Sequence, residues 1–310
     1  MASYRVALTT VNEGPSECLL PTVGARQEAN VDQRGEMPSD LIAQLERWAR
    51  ERRILPRDEF DCAHYPDCQQ SRRRRNLGLL ERGRTCMMSY IGIDFGAMYS
   101  GKPFRLAIVG MDHGESAGGD FAERQSSIEL YYYNGRNKFN QHYRGVIRTA
   151  AAILGEAGQH CLDACKEKCE GDKRLIGMRC VLRSFAQPNV VKCVSAGNMT
   201  CQATSEMYDY CSDHLLSELD ILKPDLAVFH GRNSALAFLL AEKNRGQEPA
   251  PFSEAPKDGD MSVVYEVKKP GFRYIALFLA HPSRGHLSRR WETVAGPALD
   301  FLRSCGAVPP

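Results

Sequence analysis

Apolar positions along this chain follow two rhythms. Short continuous apolar runs suit strands buried on both faces, and stripes spaced three and four apart suit helices with one buried face. Residues 226–229 and 274–279 are continuous runs, and 104–109 and 190–193 are runs interrupted only by Arg105 and Lys192. Leu41, Ile42, Leu45 and Trp48 form a stripe within a helix expected over about 39–52, which Ser39 or Asp40 can cap. Residues 144–154 are an alanine-rich second helix. Leu215, Leu216, Leu219 and Leu222 mark a third over Ser205–Leu222, stopped by Lys223-Pro224. Residues 291–303 are a fourth, interrupted near Pro297. Tyr131-Tyr-Tyr-Asn-Gly135 reads as a strand end and turn, and 246–260 as a surface loop. Strands alternating with helices predict a parallel or mixed sheet with helices on both faces, a three-layer α/β/α sandwich. Residues 1–60 read as an N-terminal extension. Residues 61–310 read as one domain carrying a cysteine-rich insert at about 156–183.

Composition narrows the setting. The chain has 310 residues and a net charge of +2, so any nucleic-acid surface must be a local patch. Arg72-Arg-Arg-Arg75 is one candidate, and Arg284, Arg289 and Arg290 are another. No apolar run approaches the roughly 20 residues of a membrane helix, and the first residues lack the apolar core of a signal peptide. The expected compartment is the cytoplasm, with no membrane partner. Twelve cysteines are many there, and clustered cysteines in a reducing compartment point to a metal or a cluster rather than to disulfides. Asp61-Cys-Ala-His-Tyr-Pro-Asp-Cys68 reads as a compact turn with two thiols. Cys161, Cys165 and Cys169 recur along one face of a helix. With Cys180 they are either a second metal site or the tolerated thiols of a partly buried helix.

Three further segments carry polar residues close to strand-like runs: Leu106-Ala-Ile-Val-Gly-Met-Asp-His-Gly-Glu115, Asn189-Val-Val-Lys-Cys193 followed by Cys211, and His281-Pro-Ser-Arg-Gly-His-Leu287. Open α/β sheets bind ligands beyond the carboxyl ends of their strands, so the three tips converge on one crevice. Together they resemble the uracil-DNA glycosylase superfamily, most closely its iron–sulfur (family 4-like) branch. Gly110-Met-Asp-His-Gly114 stands where that branch has a Gly-Glu-Ala-Pro-Gly-like turn. Asn189 to Cys193 matches its Asn-Val-Val-Lys-Cys segment, Gly197-Asn-Met-Thr200 its Asn-Arg-Thr-Pro-like stretch, and Cys211 its following helical cysteine. His281-Pro-Ser283 matches its closing motif. The likeness covers roughly residues 60–305.

The resemblance implies a central, mostly parallel sheet and a [4Fe–4S] cluster held by Cys62, Cys68, Cys193 and Cys211, with Cys86 a rival for one of the first two positions. Zinc on the same thiolates is the alternative. It also implies a monofunctional DNA glycosylase that flips out a pyrimidine, hydrolyses its N-glycosidic bond and leaves an abasic site. Asp112 is then the carboxylate that orients water and offsets charge on the sugar, with Glu115 and Asp120 nearby; a loop aspartate capping the next turn is the other reading. His281 donates to the base oxygen where charge develops. Asn189 reads the base edge, since an amide presents donor and acceptor together. Phe139 stacks on the base, and Gly110, Met111, His113 and Gly114 complete the pocket, Gly114 leaving room near the base's C5. Ser283, Arg284, His286, Leu287, Arg289 and Arg290 contact DNA, with Leu287 as the wedge that fills the gap. The substrate is uracil or a bulky 5-substituted pyrimidine, in DNA repair or in defence against phages with modified DNA. The enzyme is expected to act as a monomer. A non-catalytic DNA-binding or damage-sensing iron–sulfur protein is the competing expectation.

Overall fold

Residues 38–55, 59–85, 89–110, 125, 141–165, 180–195, 203–281 and 291–310 are described by the structure, a computed structural model. In chain order the elements are α1 (Pro38–Glu51), α2 (Tyr65–Arg74), β1 (Leu80–Thr85), β2 (Tyr90–Ile91), β3 (Met98–Tyr99), β4 (Lys102–Pro103), β5 (Leu106–Val109), α3 (Gln141–Ile153) and α4 (Gly155–Cys165). Then follow β6 (Phe185–Gln187), β7 (Cys193–Ser195), α5 (Ser205–Leu222), β8 (Leu226–His230), α6 (Arg232–Asn244), β9 (Ala250–Pro251), β10 (Lys257–Asp258), β11 (Met261–Ser262), β12 (Val264–Lys269), β13 (Phe272–Leu279) and α7 (Gly296–Ser304).

Seven strands form the main sheet in the order β2-β6-β5-β8-β13-β12-β9. The inner four, β6, β5, β8 and β13, run parallel, and antiparallel strands flank them on both sides. The sheet is therefore mixed with a parallel core. Successive side chains of a strand face opposite ways, and the two layers follow from that alternation. Leu106, Ile108, Leu226, Val228, Ile275 and Leu277 pack with Val146, Ala150 and Ile153 of α3 and Leu299 and Leu302 of α7. Ala107, Val109, Ala227, Phe229, Ala276 and Phe278 pack with Met207, Leu215 and Leu219 of α5 and Phe238 of α6. Both faces of each inner strand are buried, which is why these strands read as continuous apolar runs. A third cluster seats α1, through Leu41, Leu45 and Ala49, against Ile91 of β2, Ala186 of β6 and Leu222 of α5.

Local chemistry sets the ends of α5. Thr204 caps its start, its Oγ1 accepting from the Met207 N–H at 3.2 Å. At its other end Lys223 takes a left-handed conformation, with φ 44°, and donates its N–H to Leu219 O. Pro224 follows and cannot continue the helix.

Three sequence expectations change. Val190, Val191 and Lys192 are not in a strand: Val190 and Val191 are buried in an irregular stretch, Cys193 opens β7, and the strand of the main sheet is the shorter Phe185–Gln187 just before Pro188. Cys68 lies not in a turn but within α2, which Pro66 helps to start. The arginine run continues that helix rather than forming one open patch. Arg72 is buried, its Nε donating to Gly78 O, while Arg74 and Arg75 pair with Glu206. The expected turn at 131–135 lies outside the described residues.

Candidate functional site

The chain runs from β5 outward to β6 on one side, then crosses back to β8 on the other. The first crossover carries α3 and α4 on one face, and the second carries α5 on the opposite face. Such a reversal opens a crevice at the carboxyl ends of the strands, beside β5. Gly110 immediately follows β5 and forms a parallel bridge with Asn189. Gly110 N–H donates to Pro188 O, and Val190 N–H donates to Gly110 O, each at 2.9 Å. The middle motif is thus laced to the first by its backbone.

A close approach explains the glycine. A Cβ on Gly110 would lie under 3.0 Å from Asn189 Oδ1 and at 3.4 Å from its Cγ. The Asn189 amide, only 4% exposed, therefore occupies the place a side chain would take. Register continues the picture. Val109 pairs with Phe229, and Leu279 pairs with His230. His230 is thus level with Gly110 on the next strand, facing the same layer as the Asn189 amide. It is buried, and its Nε2 lies 3.2 Å from Thr149 Oγ1 of α3. His281 stands two residues beyond the end of β13, half-buried at the same edge.

Of the residues singled out from sequence, Gly110 and Asn189 are brought together, and His281 lies past the carboxyl end of β13 in the same sheet. Asp112, Met111, His113, Gly114, Phe139, Ser283, Arg284, His286, Leu287, Arg289 and Arg290 lie outside the described residues. His230 and Thr149 were not among the sequence candidates. The strand-like run stops at Phe229 in the sequence, and only pairing shows that the next residue still belongs to the strand. Gln187, which closes β6, also went unnoticed; its Oε1 is buried without a hydrogen-bond partner among the described residues.

The second locus is built of thiols. Cys68, Cys193 and Cys211 share the apolar layer of α2, α5 and α6, and Cys62 packs against it. Burial pushes the Cys68 thiol up to about 12, with neighbouring Cys211 and Cys62 adding to the rise. Burial also lifts Cys211, to about 11, against the pull of the Lys192 backbone N–H on its sulfur. Cys62 is raised by burial too and held back by the N–H groups of His64 and Tyr65 at the start of α2. Cys193 follows Lys192 directly and lies in the same apolar layer as Cys211.

This donor set fits an iron–sulfur cluster. The ligands are soft sulfur, they lie in an apolar setting, and backbone N–H groups aim at two of them, a common way of stabilising bound thiolates. No three His, Cys, Asp or Glu among the described residues are grouped to hold a single metal ion. Under the thiols, Lys192 Nζ and Glu218 Oε2 form an ion pair whose partners are 2% and 1% exposed.

No protein-family model matches the chain, and no curated protein matches it. No helix among the described residues is long and apolar enough to cross a membrane.

Proposed function

We propose that this chain is a DNA glycosylase that removes a pyrimidine, uracil or a 5-substituted relative, from DNA. The observation that carries the reading is the seat of Asn189. Its amide is fixed over Gly110 at the switch point of the sheet's parallel core, with His230 at the end of the strand on the other side of Gly110 and His281 past β13 farther along the same sheet. An amide held there offers a donor and an acceptor to the edge of a flipped base. Cleavage of the bond between sugar and base leaves the electron pair on the base, so a donor at its oxygen lowers the barrier, and His281 would be that donor. Asp112, two residues past Gly110, would orient the attacking water and offset the positive charge of the sugar. A [4Fe–4S] cluster on Cys62, Cys68, Cys193 and Cys211 would act as a tie between α2, α5 and the segment that begins at Asn189. Repair and defence against modified phage DNA both suit this chemistry.

Alkali-sensitive strand cleavage tests the reading. Single- and double-stranded DNAs would carry uracil, thymine mismatches, 5-hydroxymethylcytosine or its glucosylated form. Cleavage at one base by the wild type, lost in Asp112→Asn and Asn189→Ala, is the expected result. DNA binding with every base left in place would refute catalysis and favour a damage-sensing protein.

A further inference from the structure

Gln187 closes β6 and is only 4% exposed. Its neighbours across the sheet are apolar. It pairs with Tyr90 of β2, and the register of β6 on β5 places it level with Ile108. Tyr90, Ile108 and Phe185, two residues before it, are all buried in the layer of α3, α4 and α7, so the Gln187 amide faces that layer too. There its Oε1 has no hydrogen-bond partner among the described residues. Buried polar atoms are nearly always paired, because an unpaired one gives up its hydration for nothing.

Asn189 stands beside it on the same face. Leu106 pairs with Phe185 and Gly110 bridges to Asn189, four residues on in each strand, so the register runs without a bulge between them. Gln187 and Asn189 are two residues apart in that extended segment, and their side chains therefore point the same way. Pro188 between them, with its fixed φ, stiffens the spacing. Two buried amides are thus presented together at the carboxyl end of the parallel core, one of them with an acceptor to spare.

We propose that Gln187 is a second base-reading amide, and that the pyrimidine removed carries a hydrogen-bond donor that uracil lacks. The inference rests on the glycosylase reading above and narrows its substrate. One amide suffices for uracil: it donates to O4 and accepts from N3–H, the only donor the base has once N1 is bonded to the sugar. Nothing on uracil is then left for the Gln187 oxygen. A cytosine-type base is different. Its exocyclic amine has two N–H groups, so one serves Asn189 and the other is free. A 5-hydroxymethyl group adds an O–H next to the same edge. Either donor satisfies Oε1. A site built around such a pairing rejects the base that cannot make it far more strongly than an apolar pocket rejects a misfit. A buried water would satisfy Oε1 as well, but it would leave the choice of base untouched.

Single-turnover excision by the full chain tests this. One DNA sequence carries uracil, 5-hydroxymethyluracil, 5-methylcytosine or 5-hydroxymethylcytosine at the same position, so the hydroxyl and the amine are supplied separately and together. The wild type should remove at least one donor-bearing base about 100-fold faster than uracil. Gln187→Met keeps the volume and removes the acceptor, and it should cut that ratio by about ten-fold. Its melting temperature should equal or exceed that of the wild type, since no structural hydrogen bond is lost from Oε1. Uracil removed faster than every other base would overturn the inference and leave the glycosylase reading standing. So would a Gln187→Met variant with an unchanged ratio. Should that variant fail to fold, the wild-type ratio decides alone. Removal of none of the four bases would defeat the glycosylase reading, and this inference with it.

Discussion

Gly110→Ala is a small change with a directed consequence. Gly110 does not lie in the left-handed region, so alanine meets no backbone penalty there. Among the described residues, the only atom its Cβ would crowd below ordinary contact is Asn189 Oδ1, at the far end of that side chain. Relief needs the amide to move by roughly 1 Å, a misplacement that can cost about 100-fold in rate. The fold should lose about one hydrogen bond's worth of stability, ~1 kcal/mol, which lowers the thermal midpoint by about 2–4 °C. Single-turnover excision on the best DNA of the panel, together with a thermal melt, measures both. Wild-type excision by Gly110→Ala, beside a dead Asn189→Ala, would refute the claim that the amide works from the seat described. A fall of ten degrees or more would refute the claim that the amide is what yields.

Glu218→Leu should destabilise by about 3–5 kcal/mol, since it strands the buried Lys192 ammonium; the double variant Lys192→Met/Glu218→Leu should recover most of the lost melting temperature. His214 gives an acid-dependent term. Burial first, then the charges of Lys192, Arg52 and His64, lower its folded pKa to about 4 from 6.5. Above pH 6.5 both states hold it neutral; between 6.5 and 4 the unfolded chain takes the proton first, so stability falls with pH by at most about 3 kcal/mol. Denaturation of His214→Gln across that window should show a shallower fall than wild type, and equal slopes would exclude His214 as its source. Cys68→Ser should abolish the visible absorption of an iron–sulfur cluster and lower the melting temperature, whereas unchanged spectra would remove Cys68 from the ligand set.

Local pattern and long-range pairing contributed unequally to what could be read in advance. The leucine stripe of α5, its Thr204 cap and its Lys223-Pro224 stop are all local, and that helix stands where the spacing puts it. The π-helical turn at Trp291–Ala295 ahead of α7 is likewise the interruption that Pro297 foretells. β6 was missed because three residues beside a proline make no period, while Val190 and Val191 look like a strand but are buried without being one. Arg72 reads as surface charge, yet its guanidinium finds a carbonyl and the Met207 sulfur inside the fold. Gly110, Asn189 and His281 could be named from the sequence, but their places in one sheet depend on strand order, which no short run encodes. His230 gave no signal at all, because its importance comes from the register of β8 against β5 and β13.

The borders of the main sheet have a bearing on how copies of this chain can associate. β2 and β9 are each two residues long, Ile91 of β2 is covered by α1, and β9 ends in Pro251, which has no amide hydrogen to give. Long open strands are what allow sheets to fuse between molecules, and short, covered or proline-bearing ones resist it. Self-association of the folded chain through these borders is therefore blocked at the backbone. Any association through these two borders must therefore rely on side chains rather than on a shared strand ladder.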